Sequence, residues 1–125
     1  MIYGIGIDIQ DISKFEETLN RSNPHFIQRV FTKREREYAK ELDINQTLAG
    51  KWAVKEAFLK AIGKGITNLR SLKNIEVDNL PNGKPHINLY SDLRDKLSDL
   101  EYKIDVSISH SGNYAVGLVV ISRKL

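Results

Sequence analysis

The feature of this 125-residue chain that most limits how it can fold is its opening segment, IYGIGIDIQ (residues 2–10), where large apolar residues alternate with small or polar ones. A period of two fits a strand, because successive side chains leave opposite faces of an extended backbone. Tyr3, Ile5, Ile7 and Ile9 then share one face, and Gly4, Gly6, Asp8 and Gln10 share the other. The first face is expected to be core. The second is bare backbone ending in a carboxylate. Asp8 has two readings there: a cap on the turn that follows, or an acid beside which the glycines leave space for a ligand or another backbone.

A second constraint is the stretch WAVKEAFLKAIGKG, residues 52–65. Val54, Ala57, Phe58 and Ala61 recur at i, i+3, i+4 and i+7 and form the core stripe of a helix running from about Leu48 to Ile62. Gly63 and Gly65 stop it, since glycine tolerates the left-handed backbone of a helix end. Glu56 and Lys60 fall opposite the stripe, together with Trp52 and Leu59, which are too apolar for a face meant only for water. A helix apolar on both sides lies between two layers, here the core and either a neighbouring subunit or a bound ligand, with Glu56 and Lys60 in a cleft. The plainer alternative is an exposed i, i+4 ion pair worth ~0.3–0.5 kcal/mol. The same helix carries Lys51, Lys55 and Lys60, followed by Lys64, around its single acid.

Between these two segments, Ser13 with Glu16 reads as a capping box for a short helix through about Arg21, with Phe15 and Leu19 inward. Pro24 suits the first turn of another helix bearing Phe26, Ile27, Val30 and Phe31. Thr32 with Glu35 is a second capping box, for a helix to about Leu42, and residues 43–47 read as a loop. From Arg21 to Arg36, five cations face the single Glu35. That stretch is either a docking face for an anionic partner or a solvated helical surface.

Further on, NIEVD and PHINLY bracket Asn82-Gly83, a tight-turn signal between strands. A helix is expected over Ser91–Leu100. KIDVSISH and YAVGLVVIS then form a hairpin around SGN, and the apolar last strand should be central. His110 continues the phase of Ile104, Val106 and Ile108, so it is either a satisfied core histidine or, with Ser109, Ser111 and the exposed N–H groups of the turn, part of a phosphate site. Lys84 is either solvated or part of the same kind of site. Locally paired strands with helices grouped in the first half predict an α+β domain spanning residues 1–125.

Composition narrows the class. With 41% hydrophobic and 28% charged residues the chain reads as one globular domain, and no apolar run approaches the ~20 residues of a membrane span. The absence of cysteine excludes disulfides, thiolate metal sites and cysteine nucleophiles. MIYGIGID has no signal-peptide pattern, so a cytoplasmic protein is expected.

Taken in order, GIGIDI, KWAVKEAFLKAIGKGI, NGKP and SISHSGNYAVGLVVI resemble the 4′-phosphopantetheinyl transferases, specifically their short holo-acyl-carrier-protein synthase type, over essentially the whole chain. The resemblance implies an antiparallel sheet packed against a long helix, with short helices near the N-terminus. It implies transfer of phosphopantetheine from coenzyme A to a serine of an apo acyl-carrier protein, releasing adenosine 3′,5′-bisphosphate, in fatty acid biosynthesis. Asp8 and Glu56 would hold Mg²⁺, and the surrounding lysines would hold the diphosphate. By the resemblance Asp8, Glu56 and Lys60 would form the catalytic set, with either Glu56, directly or through a water on the metal, or Lys60 taking the serine proton. Lys51, Lys60, Lys84, Pro85, His110 and Ser111 would bind the coenzyme. Lys14, Arg21 and Arg29 would dock the acidic carrier. A homotrimer is implied, its sites shared between subunits: Asp8, Glu56 and Lys60 from one, the GKP and SHS segments from the next. Lys51-Trp52 stands where Arg-Phe is common, Leu59 replaces a small polar residue, and Lys64 stands where threonine is frequent.

Two rivals come from other classes. A basic nucleic-acid-binding domain would use the Arg21–Arg36 cations, but the chain lacks the stacking aromatics or recognition helix of such a module, and Asp8 and Glu56 would go unexplained. GIGIDI alone would open a sugar-kinase-like ATPase, but that fold needs a glycine-rich turn and further strands. Neither a nucleic acid nor a membrane is therefore expected as a partner.

Overall fold

The computed structural model describes residues 1–21, 25–63 and 69–124. Among the described residues, five strands and five α-helices follow in the order β1 (Ile2–Asp11), α1 (Ile12–Arg21), α2 (Phe26–Val30), α3 (Lys33–Lys40), α4 (Ile44–Ala61), a 3₁₀ helix (Leu69–Asn74), β2 (Ile75–Asn79), β3 (Pro85–Leu89), α5 (Ser91–Lys96), β4 (Tyr102–Ser111) and β5 (Tyr114–Arg123). Both sheets are antiparallel: β1-β5-β4, with the last strand central as expected, and the hairpin β2-β3. The architecture is α+β.

Helix α4 lies across the three-stranded sheet and is covered on its other flanks by α1–α3 and the β2-β3 hairpin. Its closeness to the sheet comes from glycine. A Cβ on Gly6 would fall 1.7 Å from the carbonyl oxygen of Ala57, one on Gly4 1.9 Å from that of Ala61, and one on Gly117 2.6 Å from the amide nitrogen of Val54. These are backbone-to-backbone contacts that no other residue type permits.

That seam reverses the expected facing of β1. The glycine side packs on α4, whereas Ile5, Ile7 and Ile9 are 55%, 59% and 60% exposed. Alternation had identified the two faces but not which one met the helix. In the sheet register Ile5, Ile7 and Ile9 stand beside Val120, Leu118 and Val116, so the outer face carries a contiguous apolar patch.

The second apolar side of α4 is also covered within the chain. Leu59 is buried, and Trp52 packs against Phe15 and Phe26 with ring centroids 6.1 and 5.9 Å apart. The second layer is thus formed by this chain's own short helices, where the sequence had suggested a neighbouring subunit or a ligand.

Local signals held in part. Thr32 and Glu35 form the reciprocal capping box of α3, and Gly63, at φ +80°, follows the end of α4. The Ser13–Glu16 box does not form, because α1 begins at Ile12, two residues earlier than a Ser13 cap requires. Asp11 accepts from the Lys14 amide at 3.1 Å, while Ser13 Oγ donates to Asn113 Oδ1 at 2.8 Å. Residues 43–47 are not a loop: Asp43 caps α4 by accepting from the Gln46 amide. Helix α5 stops at Lys96, short of the expected Leu100. Gly112 sits at φ +54° in the two-residue β4-β5 turn, a position that favours glycine. The expectations for Pro24, Lys64 and Gly65 lie outside the described residues.

Candidate active site

Glycine contacts hold α4 so close to β1 that Asp8, next in phase after Gly4 and Gly6, stands beside the side chains of Glu56 and Lys60. Lys60 Nζ donates to Asp8 Oδ1 at 3.1 Å and to the Ile7 carbonyl at 3.0 Å. Gln10, the next residue in the same phase, donates its Nε2 to Asp8 Oδ2 at 2.7 Å and to Glu56 Oε2 at 3.1 Å. The two acids expected to meet do meet, joined by an amide that sequence reasoning did not single out. Its signal was available, since Gln10 shares the strand face of Asp8.

Electrostatically the cluster is unbalanced. Asp8 is buried and Glu56 half-buried, and Lys60 pairs directly with Asp8 alone. Partial burial, reinforced by the adjacent Asp8 carboxylate, raises the Glu56 pKa to about 7, against the opposing pull of Lys60 and Gln10. Beside the pair opens a cleft of about 260 Å³ lined by Gln10, Lys14, Phe15, Phe26, Trp52 and Glu56. Lys14 is exposed on α1, as is Arg21; Arg29 is exposed on α2. Part of the basic stretch is consumed internally: Arg34 pairs with Asp78 at 2.8 Å and Lys33 with Glu37 at 3.7 Å.

The remaining candidates gather on the opposite flank of α4. Lys51, Pro85 and His110 line a second cleft, of about 230 Å³, with Tyr38, Thr47 and Gly83. Lys84 and Ser111, both exposed, are chain neighbours of this lining. His110 shares the inner face of the sheet with Gln10 but lies two strands away, across Ala115 of β5. Its Nε2 is 3.1 Å from the Gln46 carbonyl oxygen. Gly50 makes room for it: a Cβ there would lie 3.0 Å from that same nitrogen. Glycine inside a helix costs ~1 kcal/mol, and in sequence that cost was the clue that something presses on this position.

Two lysines depart from the expected ring around Glu56. Lys55 is fully buried and bonds Glu35 Oε1 at 2.9 Å and the carbonyls of Leu72 and Ile75 at 2.6 and 2.7 Å. Lys51 is 2% exposed and bonds the Val77 carbonyl and Asn79 Oδ1, and burial lowers its pKa to about 8. Both extend from α4 away from the acid pair, so the anion-holding role suggested for the lysine group as a whole does not extend to Lys55. Lys60 is the lysine that reaches Asp8.

Comparison with known proteins identifies the family. Residues 4–119 match the model of the 4′-phosphopantetheinyl transferase superfamily. A holo-[acyl-carrier-protein] synthase of Geobacter metallireducens is 42% identical over 125 residues, covering 98% of this chain and 99% of that protein. Among solved structures, the holo-(acyl-carrier-protein) synthase of Bacillus anthracis in complex with CoA (3′,5′-ADP) is 38% identical with a TM-score of 0.78, covering 97% of this chain and 96% of that one. The Neisseria meningitidis enzyme reaches a TM-score of 0.86 at 29% identity, covering 98% of this chain and 99% of that one. A chain matched along its whole length in sequence and in fold, with its acids brought together beneath one helix, belongs to the 4′-phosphopantetheinyl transferase superfamily, among the holo-[acyl-carrier-protein] synthases.

Proposed function

We propose that this enzyme attaches the 4′-phosphopantetheine of coenzyme A to a serine of an apo acyl-carrier protein, yielding holo carrier and adenosine 3′,5′-bisphosphate, in cytoplasmic fatty acid biosynthesis. The observation that carries this reading is the joining of Asp8 and Glu56 through one amide, with Lys60 on Asp8, at the mouth of a cleft.

The donor set suits Mg²⁺, which takes one or two carboxylates and completes its shell with phosphate oxygens and waters. Among the described residues no third acidic or imidazole side chain joins the pair. Asp8 and Glu56 would hold the ion, which when bound supplies positive charge against the diphosphate. The serine oxygen attacks the phosphorus carrying the pantetheine, and the bond from that phosphorus to the bridging oxygen breaks, leaving with the adenosine bisphosphate. Glu56, which lines the cleft, receives the serine proton. Lys60 holds Asp8 in place and presents its ammonium to the departing phosphate.

The second cleft, with Lys51, Lys84, Pro85, His110 and Ser111, takes the nucleotide end of coenzyme A. It lies across α4 from the acids, so a copy of this chain completes each site. The outer sheet face of Ile5, Ile7, Ile9, Val116, Leu118 and Val120 supports assembly as a homotrimer, since an apolar patch of this kind marks an association surface. Lys14, Arg21 and Arg29 dock the acidic carrier.

The test is to incubate the protein with coenzyme A, Mg²⁺ and an apo acyl-carrier protein and to weigh the carrier by mass spectrometry. A gain of one phosphopantetheine, abolished by chelator, is expected. An unmodified carrier with fully folded protein overturns the reading.

A further inference from the structure

Gln10 does more in this site than its neutrality suggests. Its side chain sits on the same inner strand face as Asp8, two residues on, and its amide nitrogen is placed between the two carboxylates, 2.7 Å from Asp8 Oδ2 and 3.1 Å from Glu56 Oε2. Two acids facing each other at partial burial repel, and an N–H donor between them offsets part of that repulsion. A primary amide has a second end. Its carbonyl oxygen is an acceptor of the kind that hard divalent cations take as a ligand, and a half-turn about the last side-chain bond exchanges NH₂ for C=O at the same place. The described residues provide no third acidic or imidazole ligand beside Asp8 and Glu56, so Gln10 is the neutral oxygen donor already in contact with both.

We infer that Gln10 is a reversible bridge and third ligand: its NH₂ joins Asp8 and Glu56 when no cation is bound, and its carbonyl oxygen coordinates the divalent ion when one is. This rests on the metal-dependent transfer proposed above and extends it to a residue outside the acid pair. The amide touches both acids and brings an oxygen to the site without adding negative charge.

The experiment uses Mn²⁺ as the probe, with the fraction bound read by electron paramagnetic resonance and no substrate present. Wild-type protein is compared with Gln10→Leu, which removes both ends of the amide, and Gln10→Glu, which keeps an oxygen ligand but loses the donor. Circular dichroism and thermal melting in chelator establish that each variant is folded. Gln10→Leu is expected to bind Mn²⁺ roughly tenfold more weakly, the size of effect seen when metal-site supporting groups are removed. Gln10→Glu is expected to bind at least as tightly as wild type but to melt lower than wild type in chelator, because a third carboxylate then lacks a cation. Affinity unchanged or tighter in Gln10→Leu overturns the ligand role, since an amide that merely occupies the gap would compete with the ion. Should Gln10→Leu not fold, weaker binding by Gln10→Glu than by wild type overturns it instead. If wild type binds no Mn²⁺, this inference and the metal reading fall together, whereas normal wild-type binding with an indifferent Gln10→Leu sinks this inference alone.

Discussion

Lys55 and Glu56 are neighbours in α4, yet they belong to opposite kinds of electrostatic arrangement. Lys55 enters the interior, where its ammonium has three acceptors: Glu35 and two carbonyls. Glu35 in turn accepts from the Thr32 and Val77 amides at 2.8 and 2.9 Å. Charges there are matched and hydrogen-bonding capacity is used. One residue later, Glu56 enters a half-open cleft where two acids share a neutral amide and a lysine pairs with Asp8. A balanced buried pair ties α3, α4 and β2 together, whereas surplus negative charge at a cleft leaves affinity for a cation. The helix therefore joins a structural lock and the candidate site through a single peptide bond.

The comparison can be broken most severely on the reactive side. Asp8→Ala is expected to reduce carrier modification by about a thousandfold, equal to ~4 kcal/mol of barrier, while leaving the melting temperature within a few degrees of wild type. Carrier mass and calorimetry on the same sample check both halves. A large loss of stability instead would mean that this pair also has a structural role. Lys55→Ala should do the reverse, costing ~3–5 kcal/mol of stability because it strands the Glu35 carboxylate in the interior. Urea titration measures this, and activity per folded molecule should survive.

A subtler test uses pH. Glu56 has a pKa of about 7 in the folded chain, above that of an ordinary carboxyl, so between those values the folded state holds more protons than the unfolded one. Stability from this group is full at low pH and is lost as pH rises through about 7. After discounting for the half-exposed position, the loss is about 1 kcal/mol. In chelator, denaturation of wild type minus that of Glu56→Gln should show the slope, and saturating Mg²⁺ should remove it. The smallest thermodynamic effect is expected on the basic face. Reversal of Lys14, Arg21 and Arg29 to glutamate should raise KM for the carrier several-fold at low salt, leave KM for coenzyme A unchanged and spare stability. An unchanged carrier KM would remove these residues from docking.

How much the sequence disclosed follows from what each signal measures. Period two located β1, the Thr32–Glu35 spacing located the start of α3, and the apolar run of β5 announced its central position. The meeting of Asp8 with Glu56 came from the family resemblance; spacing alone left each acid with an ordinary reading. The facing of β1 was misread because isoleucine marks apolar demand without saying who meets it. In this chain the isoleucines face outward, and glycine marks the core side because a helix backbone lies there. Lys51 and Lys55 were counted around the acid because a lysine run looks solvated, while their acceptors, the carbonyls of residues 72, 75 and 77, become neighbours only through tertiary folding. Gln10 was passed over because an amide carries no charge to attract notice.

The glycine seam between β1 and α4 has a consequence for altering this enzyme. Where main chains touch, the spacing of the strand and helix that carry Asp8 and Glu56 is a fixed dimension, deaf to aliphatic repacking elsewhere. Lengthening Asp8 to glutamate or shortening Glu56 to aspartate would shift a carboxylate by one methylene in a frame that cannot give way. Tuning of the reaction is thus left to the flexible side chains at the rim, and the scaffold itself behaves as a gauge block.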